Sequence, residues 1–312
     1  MKYLLIIVAG LMFTSCSKGQ IKEEVGLTNK LVYNEKASSY TVTIYNAYQA
    51  QILINGFPIL PVLVSQGLTY LDMGIEKTGT QKLEVILDLS SKAMKNYTPK
   101  GDDKILTIEL DEDDDQDDGI YENFEILYSD LTEEDLKKHY YVKEIEFKAK
   151  PAYHFFKEED YVDLRKEKNL KDSLYARYKA IVADVNDKNA KAFVKKIEVA
   201  EYQSSQLRNM KPEWVINERE RFFNNKLKLY PIDSCKIRFT ENYKMATLQL
   251  IYNPITREQN ALLSAPALRG FWKKESIPYT VTYMHNFYFA KPKSKNHLEL
   301  LRWNTFTYDM DM

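Results

Sequence analysis

Hydrophobic and polar positions alternate along residues 30 to 150, recur at helical spacing from about 168 to 227, and alternate again from 234 onward. The first alternating region starts with Tyr40–Asn46, rich in β-branched and aromatic residues, which predicts a strand. Gln51–Pro58 follows, and its Asn55-Gly56 pair is a strong hairpin signal. Pro58 and Pro61 lack a backbone donor, so the next stretch is expected at an edge or as an irregular strand. Lys77–Thr80 turns into a run in which Leu83, Val85, Leu87 and Leu89 share one face. Ile105–Leu110, Phe124–Tyr128 and Tyr141–Phe147 read as further strands.

In the helical region Leu170, Leu174, Tyr178, Ile181 and Val185 form one apolar stripe. Asn186-Asp187 breaks it, and a second helix is expected over Ala190–Leu207. Pro212 suits the first turn of a third helix, with Asn209 as its cap. Ser234–Phe239, Met245–Tyr252, Ala265–Lys273, Tyr279–Phe289 and Leu298–Phe306 then read as five strands. The expected fold is therefore mixed. An all-β, immunoglobulin-like sandwich over 30–150 is followed by a linker at 151–167 and an α+β domain over 168–312, helices first and antiparallel sheet after. The element order of the second domain resembles the cystatin-like or NTF2-like cone, in which a curved sheet wraps a helix.

The first sixteen residues change the picture. Lys2 is followed by an apolar run and then Phe13-Thr14-Ser15-Cys16. A basic residue, a short apolar stretch and small residues in that order are a secretory signal. The apolar run is shorter than the ~20 residues that cross a bilayer. With cysteine at the cleavage point, the segment resembles a bacterial lipoprotein signal. That resemblance implies a signal peptide over 1–15, a lipidated (palmitate-bearing) Cys16, and a polar tether over 16–29. Ser17 in place of Asp implies an outer-membrane anchor, with the body facing the periplasm or the cell surface. Acylated Cys16 leaves Cys235 alone, so no intrachain disulfide forms and the fold rests on apolar cores. Cys235 itself lies in a strand-like run with no nearby group to lower its pKa, and is expected as a buried structural thiol.

Composition narrows the function. The net charge of −1 supplies no basic field for nucleic acid. Gly is scarce at 10 residues and Tyr abundant at 23, which suits pleated binding faces over phosphate-cradling loops. Neither a Gly-x-Ser-x-Gly elbow nor a Gly-rich phosphate loop occurs. The histidines, His139, His154, His285 and His297, show no metal-ligand spacing, so no zinc site is expected.

Two constellations remain. In the acidic run from Asp111, Asp114, Gln116 and Asp118 fall at the first, third and fifth places of an EF-hand-like loop. Gly119 supplies the turn and Glu125 the last carboxylate. The flanks read as strands, so the choice lies between a weak Ca²⁺ site and a solvated hairpin tip; no other cofactor is expected. The second constellation is Tyr283 and His285 on one strand face, with Trp303 in the same sheet. In a cone-like domain these would line a pocket for a small molecule or an enzymatic reaction; the alternative is a core histidine bonded to a hydroxyl.

The overall plan also resembles two-domain periplasmic proteins associated with type VI secretion effectors. The residues that carry this are Gln51–Pro58 and Glu76–Leu87, followed by the acidic loop and helical block. The resemblance implies a membrane-anchored, non-enzymatic protein-binding module with a protein partner, acting as an immunity protein against a secreted toxin.

Overall fold

The computed structural model describes residues 21–34, 37, 39–90, 98–113, 121–251, 265–272 and 281–309. The chain opens with β1 (Ser39–Ile54) and β2 (Phe57–Tyr70), followed by β3 (Gly79–Asp88), β4 (Lys104–Asp113) and β5 (Tyr121–Leu127). A short helix α1 (Glu133–Lys138) leads into β6 (Tyr140–Ala149). Helices α2 (Leu170–Asn186), α3 (Ala190–Leu207) and α4 (Pro212–Asn224) come next. The last six strands are β7 (Lys226–Leu229), β8 (Cys235–Phe239), β9 (Met245–Leu250), β10 (Leu268–Trp272), β11 (Val281–Ala290) and β12 (Glu299–Asp309).

The mixed architecture is as expected; the grouping of the first strands is not. Strands β1 to β6 are joined in one antiparallel sheet, in the order β5-β4-β1-β3-β6, with β2 paired to β1 alone. The reason is the length of β1. Its residues Ser39–Asn46 pair with β4, and Gln49–Ile54 pair with β3, so one strand serves both groups. The edge position expected from Pro58 holds for β2, whose register against β1 shifts repeatedly. Asn55 and Gly56 turn the hairpin with φ of 51° and 75°.

The second sheet runs β7-β10-β11-β9-β8, with β12 along β11. Alternate residues of β11 feed two different cores. Phe287 and Phe289 join the apolar stripes of α2, α3 and α4, while Tyr288 and Ala290 join the inner face of the first sheet. The second sheet is thus the middle layer between helices and first sheet. Phe57 packs on Tyr288 with ring centroids 4.1 Å apart. The β1–β2 turn closes the same junction: Glu241 N donates to Asn55 O at 3.0 Å, and a Cβ on Gly56 would meet Glu241 N at 2.7 Å. Only glycine permits that approach.

Two expected spacers are packed instead. In 151–167, Phe156 belongs to the inter-sheet core and Leu164 to the helical core. Val162 N donates to Lys291 O, so this stretch is stitched to the end of β11. The described part of the tether, from Ile21, is a strap bound to the helices. Ile21 is buried in the helical core. Arg219 on α4 donates to the carbonyls of Glu24 and Val25, to Thr28 Oγ1, and to both carboxylate oxygens of Glu201 on α3. Further along, Val32 exchanges two hydrogen bonds with the Gln206 side chain, and Asn34 two with Asn209. Asn209 therefore does not cap α4; Lys211 occupies that position with no side-chain cap, and Asn209 holds the strap.

Candidate functional site

The register of β11 against β12 brings Tyr283, His285 and Trp303 together, because Phe287 lies opposite Trp303 and His285 opposite Thr305. All three line one cavity of about 90 Å³ under α3 and α4. Phe222 forms its apolar wall, edge-on to both His285 (4.5 Å) and Trp303 (4.8 Å). His285 Nδ1 is 3.0 Å from Thr305 Oγ1. Nε2 of His285, both amide atoms of Asn225, and Nε1 of Trp303 have no partner among the described residues. Gly270 leaves this space open: a Cβ there would meet Asn225 Nδ2 and His285 Nε2, each at 2.9 Å.

Chemically, this cavity is poorly armed for catalysis. Burial pushes the His285 imidazole down to about 3, so it is neutral at physiological pH. Its orienting partner is a hydroxyl, not a carboxylate. The one buried carboxylate in the lining, Glu201, is engaged by Arg219. What the cavity offers is a small volume with unpartnered neutral groups on the sheet side and, on the helix side, Arg219 paired with Glu201 and Arg208 paired with Glu218.

A larger cavity of about 260 Å³, which sequence reasoning missed, opens where the strap and α4 meet β2. Tyr33 of the strap, Tyr70 of β2, Tyr153 and Trp214 of α4 supply its aromatic walls. Tyr70 is 55% and Trp214 51% exposed, and Val32 and Leu68 are exposed as well. Lys211 Nζ sits 4.7 Å from the Tyr33 ring centre and 5.5 Å from that of Trp214. Asp72 also lines this cavity, yet only 7% of it is exposed. Its Oδ1 accepts from Tyr40 N at 3.3 Å, and its Oδ2 has no partner among the described residues. Burial pushes the Asp72 carboxyl up to about 7, against the backbone hydrogen bond from Tyr40.

No signal in the sequence pointed to this second cavity. Its walls come from four separate segments, and Leu71-Asp72-Met73-Gly74 reads as an ordinary turn. The exposed Tyr and Trp were countable, but not their meeting place.

The remaining expected residues are quickly placed. Cys16 lies outside the described residues, as do Asp114, Gln116 and Asp118. Glu125 sits on β5 at an exposed position and pairs with Lys104 of β4 at 2.5 Å. The flanks of the acidic run are antiparallel strands. Among the described residues no group of three or more His, Cys, Asp or Glu is placed to hold a metal ion. Cys235 is buried in the helical core, and burial pushes its thiol up, as a structural role requires. Among the described residues no helix is long and apolar enough to cross a membrane. No family model, curated protein or solved structure matches the chain.

Proposed function

We propose that this protein is a membrane-anchored lipoprotein that binds a protein partner without catalysing a reaction. Its anchor is acylated Cys16 in the outer membrane, and its task is that of an immunity protein against a secreted toxin. The observation that carries the binding reading is the exposed aromatic face of Tyr33, Tyr70 and Trp214. Large aromatic side chains left in solvent around a concavity are the usual anchors of protein interfaces. Single exposed apolar residues need no explanation, but several sharing one cavity rim do.

The test has two parts. Growth with an alkyne analogue of palmitate should label the wild-type chain and not Cys16→Ser, and the variant should leave the membrane fraction. The product of a neighbouring toxin gene, if one is present, should co-purify with the chain, and Trp214→Ala or Tyr70→Ala should weaken that complex by about tenfold or more. An unlabelled wild type sinks the anchor. A metabolic operon next door sinks the immunity role, and unchanged affinity in both variants sinks the binding face.

A second reading, a small-molecule site at Tyr283, His285 and Trp303, draws on the unpartnered polar groups there. Its volume, about 90 Å³, is well below the ~300 Å³ at which ligand pockets begin. That favours bound water or a very small molecule over a metabolite.

A further inference from the structure

Four features of the aromatic cavity point the same way. First, it contains a carboxylate that is more than nine-tenths buried and has one oxygen unpartnered. An ionised carboxylate in that position is unstable until a donor or a cation reaches it. Second, the cation in the cavity lining is already engaged. Arg208 Nη2 holds Glu218 at 3.1 Å, and its Nε points to Ser204 O. Third, the rings attract ammonium groups: Lys211 Nζ rests over Tyr33 and Trp214 at the rim. Fourth, about 260 Å³ exceeds the ~150 Å³ that accommodates a benzene ring, so a long flexible side chain fits.

We propose that this cavity receives a lysine or arginine side chain from the protein partner. The stem lies between the rings of Tyr33, Tyr70, Tyr153 and Trp214, and the Asp72 carboxyl turns to bring Oδ2, buried in this structure, to the charged head. Lys211 swings from the rim into solvent as the incoming cation enters. The inference rests on the protein-binding reading and gives it chemistry: the partner presents a basic side chain, and Asp72 is the group that selects it. A neutral side chain of equal length fills the cavity but leaves the carboxylate unpaired, which is how discrimination arises.

The experiment uses the chain carrying Cys16→Ser, so lipid plays no part. N-acetyl-lysine methylamide is titrated while the indole N–H signal of Trp214 is followed by NMR. N-acetyl-norleucine methylamide serves as the neutral match and N-acetyl-glutamate methylamide as the anionic one. The lysine probe should saturate, with the norleucine probe at least about tenfold weaker and the glutamate probe weaker still. Asp72→Asn should fold, since it removes a buried charge, and should lose about tenfold for the lysine probe alone. Equal affinity for lysine and norleucine overturns the proposal, as does an unchanged lysine affinity in Asp72→Asn. So does the absence of saturation up to about 0.1 M. Probe binding without any toxin partner sinks the functional reading and leaves this one standing. A partner retained by Asp72→Asn sinks this one alone.

Discussion

The two sheets bury opposite kinds of ionisable group. At the first sheet the buried Asp72 and the half-buried Glu76 are carboxyls pushed up to about 7, chiefly by desolvation. On the second sheet His285 is an imidazole pushed down to about 3 by the same cause. Both kinds of group are driven toward their neutral forms, because the protein interior penalises charge of either sign. The consequence for the native state differs. The acid lines an open aromatic cavity, with Oδ1 held by Tyr40 N and Oδ2 buried without a partner among the described residues. The imidazole sits in a smaller cavity, fixed by Thr305 and walled by Phe222. On the proposal above, the first site takes a charge from outside; the second keeps its imidazole neutral.

The largest expected effect tests whether the helical half depends on its own buried charges. Arg219→Met leaves Glu201 buried and unpaired, and should cost about 3–5 kcal/mol in urea unfolding. It should also free the strap, giving new proteolytic cuts between Ile21 and Asn34. A loss under about 1 kcal/mol would show that Glu201 simply takes up a proton.

Phe57→Ala asks whether the two sheets unfold separately. Removing the ring from Tyr288 should cost about 3–4 kcal/mol. Fluorescence and circular dichroism should move together, since one core joins the halves. Two separated transitions would mean that the junction does not couple them.

The pH dependence sharpens the contrast itself. Asp72 has a raised native pKa, so its contribution is fully present below about 4 and is lost as pH rises through about 7. His285 has a lowered native pKa, so its contribution is present above about 6.5 and is lost as pH falls toward about 3. The two slopes oppose each other across nearly the same window. Asp72→Asn should raise stability at pH 8 by up to about 4 kcal/mol and shrink the falling limb to the share that Glu76 leaves. His285→Gln should flatten the acid limb by a similar amount. Parallel shifts in both variants would break the comparison.

The smallest effect is expected at the aromatic face. Tyr70→Ala and Trp214→Ala should change stability by no more than about 0.5–1 kcal/mol, because both side chains are half exposed. Their effect belongs to partner binding. A large loss of stability would mean that these rings support the fold instead.

What was legible in the sequence follows from local physics. The stripe from Leu170 to Val185 and the turn at Asn55-Gly56 depend only on neighbours, and both are where the pattern places them. Tyr283, His285 and Trp303 meet because period-two alternation and antiparallel register suffice to align them. The run Phe287-Tyr288-Phe289-Ala290 carried a clue to the shared middle layer that the period-two reading passed over. An unbroken apolar run marks a strand buried on both faces, not the exposed back of a single domain's sheet. The strap and the Asp72 cavity were out of reach for another reason. Arg219 meets Glu24, and Gln206 meets Val32, across more than 170 residues, and nothing in local periodicity encodes such contacts.

The strap sets the length of the leash. On the proposed anchor, Cys16 is the fifth residue before Ile21, and five extended residues span at most about 17 Å. That is shorter than the ~30 Å hydrocarbon layer beneath it. So anchored, the body would travel as a raft on the bilayer with little freedom to roam the space above. The proposed partner would have to come down to the membrane to be caught, and its search would run over a surface instead of through a volume. Cutting the hold of Arg219 would pay out the strap like slack in a mooring line, and would carry with it Tyr33, the strap's own wall of the cavity.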